Sequence, residues 1–297
     1  MKKTLLSIAI LSSLFCGSAF AEKMRILIVN DDGCESIGTT SLQDKLNAKG
    51  YDAWIVAPSI NQSGVGTAVT FKPGYEFEVK KIGEKRYCFP GTPSDSVDFG
   101  LTALMKDNPP DLVISGVNDG GNTGGAQLNS GTVSAAVRAV RSGYPAVSAS
   151  IGASFTKLSD DQGGLLNEAS QNVKRYWPDS INYVVELVDK MQVNKDKNKP
   201  ILPPGTGLGL NYPAVPKNEI KGIKFIENEP FPKPQYIFEI LPNGNAVQKI
   251  DFTLMQPSDD NTATAWLNHK YIIYSIFKGN WNDMSTQAEY EMIFNQD

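Results

Sequence analysis

The chain has 297 residues, 28 Lys and Arg against 32 Asp and Glu, and a formal net charge of −4 at pH 7. Its length and its 41% hydrophobic residues support a substantial core, in one large domain or a domain with an appendage. The mild acidity argues against broad nucleic-acid binding, so no nucleic-acid duplex is expected as a partner. Small phosphorylated substrates stay open, because a metal or a helix N-terminus supplies local positive potential.

Lys2 and Lys3 form a basic start, and Thr4 to Phe15 is an apolar stretch too short and wrongly flanked to span a membrane. Ala19-Phe20-Ala21 is an A-x-A cleavage signal. Residues 1–21 therefore read as a secretory signal peptide cleaved before Glu22, which predicts a periplasmic or secreted protein. Bulky Leu14 and Phe15 argue against a lipoprotein site at Cys16. No other segment is apolar enough to span a membrane. Cys34 and Cys88 remain after cleavage; an even count permits a disulfide, and two buried free thiols are the simpler alternative.

Strand and helix alternate through the N-terminal half. Arg25–Val29 reads as a strand, with a helix near Thr39–Ala48 and a second strand at Asp52–Ala57, ended by Pro58. Tyr75–Lys80 and Arg86–Phe89 read as a strand pair around Gly83, and Ser94–Leu104 as a helix. Leu112–Ser115 is a short strand, Thr132–Arg141 a helix and Ala146–Ser150 a strand. This alternation predicts an α/β fold, a Rossmann-like, mostly parallel sheet with helices on both faces.

Leu165–Met191 carries a long helical pattern that Pro178 kinks or divides. Leu208–Tyr212, Ile223–Ile226 and Tyr271–Phe277 read as strands. Tyr236–Leu241 and Ala246–Phe252 form an extended C-terminal β-hairpin around Asn243-Gly244, a strong turn signal. Residues 22–297 are thus read as one domain, with a core over about 24–192 and the hairpin and last strands over about 205–280. The hairpin is too apolar to stand alone, which predicts an oligomer.

Four loops carry chemistry. Asn30-Asp31-Asp32-Gly33 ends the first strand, where ligands gather in open α/β sheets. Adjacent carboxylates are hard donors suited to Mg²⁺ or Mn²⁺; an Asx turn or helix cap is the structural alternative. The loop Asn61–Thr67 offers Ser63 as a neutral oxygen, although Gly- and Ser-rich loops are usually only loops. Ser115–Asn122 offers the Asn118 carbonyl to a metal and Asn122 to a substrate. Ser130-Gly131-Thr132 opens a helix whose free N–H groups make an anion site, with plain capping as the alternative. Gly91–Asp95 starts another helix and reads as a cap. Together these loops point to metal-assisted phosphoester hydrolysis. His269, the sole histidine, reads as a surface residue.

The ordered motifs MRILIVNDDG (24–33), APSINQSG (57–64), GTPSDSV (91–97), PDLVISGVN (110–118) and SGTVSAA (130–136) resemble the SurE family of metal-dependent 5′/3′-nucleotidases. Leu210-Asn211 with Pro213 and Pro216 resembles its later strand motif. The resemblance implies a Rossmann-like core and a hairpin used in oligomer assembly, here a homodimer or homotetramer. It implies hydrolysis of nucleoside monophosphates, often with broader acid phosphatase activity. It maps metal ligands onto Asp31, Asp32, Ser63 and Asn118, a substrate-side Asn onto Asn122, and a phosphate-binding helix start onto Ser130, Gly131 and Thr132. Departures at Ile60, Gln62, Gly66, Thr67, Asn129 and Arg138 flank the pocket. The sequence thus predicts an exported divalent-metal phosphomonoesterase with Asp31 and Asp32 catalytic, Asp31 doubling as proton acceptor. The rivals are an exopolyphosphatase or broad acid phosphatase, and a non-catalytic periplasmic binder of phosphorylated metabolites.

Overall fold

The computed structural model describes residues 22–152, 162–228, 236–250, 260–279 and 287–288. The segment read as a signal peptide, 1–21, lies outside the described residues, as do 251 and 252 at the end of the hairpin's second strand.

Strand β1 (Arg25–Val29) pairs in parallel with β2 (Asp52–Pro58) on one side and β5 (Leu112–Asp119) on the other. The parallel run continues through β4 (Arg86–Phe89) beyond β2, and through β6 (Ala146–Gly152) and β7 (Thr206–Pro213) beyond β5. Antiparallel β3 (Lys80–Gly83) closes the first edge. On the other side β11 (Tyr271–Lys278) pairs antiparallel with β7, and β8 (Gly222–Phe225) parallel with β11. The strand order is therefore β3-β4-β2-β1-β5-β6-β7-β11-β8. The chain leaves β1 toward β2 and returns beside β1 as β5. The crevice of an open α/β sheet belongs at that reversal, outside the carboxyl ends of β1 and β5.

Both faces are covered, as a mostly parallel sheet requires. Ile26 and Ile28 of β1 pack with Leu42 and Leu46 of α1 (Ile37–Ala48) and with Val173, Trp177 and Ile181 of α5 (Gln162–Asp196). Leu27 and Val29 pack with Val97 of α2 (Pro93–Phe99) and Ala135, Ala136 and Ala139 of α4 (Gly131–Arg141). The α/β architecture expected from the alternation is what forms.

Several elements differ from the sequence reading. Tyr75–Val79 is not a strand, although Phe77 and Val79 are half-buried against the core in the expected alternation. The reason is register: β3 pairs Lys80 with Cys88, and β4, which ends at Phe89, is too short to pair more. Beyond α2 the helix widens into a π-helical turn at Gly100–Leu104. A Cβ on Gly100 would lie 2.7 Å from Leu27 Cδ2, so a larger residue there would displace the Leu27 side chain of β1. Helix α5 runs through Pro178 without dividing. Helix α6 (Ala263–Asn268), capped by Thr262, is missed by the sequence reading because it is only six residues long.

Strands β9 (Tyr236–Ile240) and β10 (Ala246–Ile250) form the hairpin as a separate two-stranded sheet, with Gly244 at φ 83° in its turn. Cys34 and Cys88 are joined by a disulfide with a Cα–Cα distance of 5.2 Å, not left as two free thiols. No helix of the described residues is long and apolar enough to cross a membrane.

Candidate active site

Four segments meet where β1 and β5 end. Asp31 and Asp32 follow β1 after Asn30. Asp31 is buried and its Oδ1 accepts a 2.5 Å hydrogen bond from the Thr132 hydroxyl. The main-chain N–H groups of Thr132 and Gly131 lie against the same carboxylate and favour its charge. Burial is the larger effect and raises the Asp31 carboxyl above the ordinary carboxylate range. Asp32 Oδ2 accepts from the Asp119 N–H at 3.0 Å. Burial, then the charge of Asp31, pushes the Asp32 carboxyl up to about 7, with Asp119 adding a smaller repulsion. Among the described residues no Lys or Arg forms an ion pair with either acid.

Asn118 lies on β5 itself, one residue before its end, since β5 extends four residues past its expected end. Its Nδ2 donates to the Gly120 carbonyl at 2.8 Å, which commits the nitrogen and leaves Oδ1 as an acceptor. The Ser63 loop is tied to β1 by the Gln62 N–H, which donates to the Asp31 carbonyl at 2.7 Å. Its far end is tied to α3 (Ala126–Asn129) by the Gly66 N–H on the Asn129 carbonyl at 3.0 Å. Asn122 is clamped. Its N–H donates to Asn211 Oδ1 at 2.7 Å, its carbonyl accepts from Asn211 Nδ2 at 3.3 Å, and its Nδ2 donates to Ser150 Oγ at 2.8 Å.

Helix α4 opens at this cleft. Ser130 is its N-cap, Oγ accepting from the Val133 N–H at 3.1 Å, so the hydroxyl proton stays available. Gly131 sits where a Cβ would lie 2.7 Å from Asp31 Cβ. The helix start thus receives the Asp31 carboxylate: Gly131 and Thr132 hold Asp31 in place and are not among the residues that line the cleft. Asp31, Ser63, Asn118, Asn122 and Ser130 line the cleft itself, about 210 Å³ in volume. Asp119, Ser150 and Asn211 were not singled out as site residues. The signal for Asn211 is an amide in an otherwise apolar strand, and for Asp119 a third acid directly after Asn118.

The remaining flagged residues lie elsewhere. Thr92 and Asp95 complete a capping box at the start of α2. His269 is exposed, its ring edge-on to Trp266. Arg138 pairs with Asp98 of α2, Nε to Oδ1 at 2.8 Å. No group of three or more His, Cys, Asp or Glu side chains gathers into a metal site among the described residues. The oxygen donors are instead the Asp31 carboxylate, the Asn118 amide and the Ser63 hydroxyl in the cleft wall, with the Asp32 carboxylate held beside that wall by the Asp119 N–H, a hard-oxygen set that fits a divalent cation.

The family model described as Survival protein SurE matches residues 26–230. A 5′-nucleotidase SurE of Petrotoga mobilis is 32% identical over 253 residues, covering 84% of this chain and 90% of the relative. One of Clostridium botulinum (strain 657 / Type Ba4) is 30% identical over 275 residues, covering 91% and 99%. The crystal structure of a SurE protein from Aquifex aeolicus superposes with a TM-score of 0.70 at 25% identity, over 91% of this chain and all of that one. These relatives correct the expectation of a periplasmic or secreted protein. They are named as SurE nucleotidases and lend export no support. The expectation rested on the composition of residues 1–21, which the family match does not include.

Proposed function

The chain belongs to the SurE family, and from that premise we propose that it is a phosphoric monoester hydrolase acting on nucleoside 5′- and 3′-monophosphates in the cleft at the ends of β1 and β5. The observation that carries this reading is the Asp31–Asp32 pair at a sheet's carboxyl end, Asp31 buried and Asp32 half-buried, with no ion pair to either acid among the described residues. Asp31, Asp32, Ser63 and Asn118 would hold a divalent cation, Mg²⁺ or Mn²⁺. When bound, such an ion supplies a Lewis acid for a phosphate oxygen and lowers the pKa of a coordinated water.

The chain's own groups do the rest. Thr132 and Gly131 fix the Asp31 carboxylate and favour its charge. That role argues against Asp31 as proton acceptor; Asp32 is the more open of the two acids. The Ser130 hydroxyl has a proton to donate to a phosphate oxygen. Asn122, locked by Asn211 and Ser150, presents a fixed amide to the substrate at low entropic cost. The hairpin leaves Phe238 66% and Ile240 79% exposed, an apolar surface suited to a second copy in a homodimer or homotetramer.

Purified protein assayed with 5′-AMP, 3′-AMP, polyphosphate and p-nitrophenyl phosphate, with and without chelator, tests the reading. Metal-dependent phosphate release from the nucleotides is expected. Turnover that survives complete chelation would refute the metal assignment.

A further inference from the structure

Each ionisable side chain lining the cleft is an aspartate. Asp31 and Asp119 stand in its wall, and no Lys, Arg or His is among the described lining residues. Asp119 follows Asn118 at the end of β5, and its main-chain N–H on Asp32 Oδ2 fixes residue 119 beside the acid pair. Its carboxylate forms no ion pair among the described residues. Its charge acts on Asp32, and the cation whose charge reaches it is Lys174 of α5.

A divalent cation held by Asp31 and Asp32 would offset those two charges and leave Asp119 over. Asp119 is exposed and lines this cleft of about 210 Å³. A second phosphate that enters with the scissile one and comes within the Debye length of Asp119, about 8 Å at physiological salt, feels its charge. A monoester of an uncharged alcohol brings no such additional charge. Resting on the phosphomonoesterase reading above, we propose that Asp119 is a specificity-determining residue. It selects phosphomonoesters whose leaving group is an uncharged alcohol, nucleosides among them. It disfavours phosphate chains such as inorganic polyphosphate and nucleoside di- and triphosphates. One like-charge contact at about 6 Å in a partly solvated cleft corresponds to about tenfold in kcat/KM.

The test measures kcat/KM for tripolyphosphate and for p-nitrophenyl phosphate, with the divalent cation in fixed excess over substrate. Wild type, Asp119→Asn and Lys174→Ala are compared. Asp119→Asn keeps the main-chain bond to Asp32. The ratio of tripolyphosphate to p-nitrophenyl phosphate is expected to rise about tenfold in Asp119→Asn and to fall in Lys174→Ala. It should also rise with ionic strength in wild type and stay flat in Asp119→Asn. An unchanged ratio in Asp119→Asn, with p-nitrophenyl phosphate still hydrolysed, overturns the role of Asp119 and leaves the phosphomonoesterase reading standing. If that variant does not fold, a wild-type ratio insensitive to salt overturns it equally. Wild-type protein inactive on both substrates with each divalent cation overturns the reading itself, and this inference with it.

Discussion

Asp32→Asn is expected to stabilise the metal-free protein while abolishing most of its activity. Burial and the neighbouring Asp31 charge raise the Asp32 carboxyl from 3.8 to about 7. The folded protein therefore holds this proton more tightly than the unfolded chain does. The group costs nothing below about pH 3, where both states are protonated. The cost grows as pH rises through the interval and is complete above about pH 7. At about 1.36 kcal/mol per pH unit the full interval is worth about 4 kcal/mol. Water reaching the half-open side chain lowers this toward about 2 kcal/mol. Asparagine carries no charge and keeps an oxygen for the Asp119 N–H. In chelator at pH 8 the variant should be about 2–4 kcal/mol more stable than wild type by denaturant unfolding. At about pH 3 the difference should have all but vanished. With saturating Mg²⁺ or Mn²⁺ its turnover should fall by orders of magnitude, because a charged ligand is gone. A stability difference independent of pH would refute the electrostatic reasoning, and near wild-type turnover in saturating metal would remove Asp32 from the site.

Gly131→Ala places a methyl 2.7 Å from Asp31 Cβ; it should cost about 1–3 kcal/mol and reduce kcat, with a circular dichroism spectrum like wild type. Thr132→Val removes the hydroxyl that donates to Asp31 and should cost about 1–2 kcal/mol, with weaker metal binding by calorimetry. Cys88→Ser opens a disulfide spanning 54 residues of sequence and should lower stability by about 2–4 kcal/mol, an effect that reductant on wild type should reproduce and that reductant on the variant should not deepen. The exposed Phe238 and Ile240 should make the protein a dimer or tetramer by light scattering at micromolar concentration; a monodisperse monomer would argue that the hairpin packs on its own chain.

The sheet was legible because its central strands are buried on both faces and read as unbroken apolar runs, Arg25–Val29 above all. The placement of Asp31, Asp32, Ser63 and Asn118 near the sheet's carboxyl end was legible because topology follows from alternation. What failed was local or long-range. The alternation Phe77–Val79 is genuine, but no pattern within it discloses that β4 ends at Phe89. The N-terminus of α4 was read as a phosphate site, whereas in the structure its Gly131 and Thr132 N–H groups face the Asp31 carboxylate. The fold delivers Asp31 to it across 101 residues. The Asn122–Asn211 clamp spans 89 residues and leaves no periodic trace. The disulfide was undecidable from an even count of cysteines, because only the fold places Cys34 and Cys88 side by side.

Metal-dependent phosphate release from 5′-AMP is the most direct measurement of the central claim. Chelated wild type should be inactive, and titrated Mg²⁺ or Mn²⁺ should restore release with saturation. The Asp31→Asn, Asp32→Asn double variant, folded by circular dichroism, should not respond to either ion. Equal metal-restored activity in the double variant and wild type would contradict the assignment of the cleft at the ends of β1 and β5 as the site of hydrolysis.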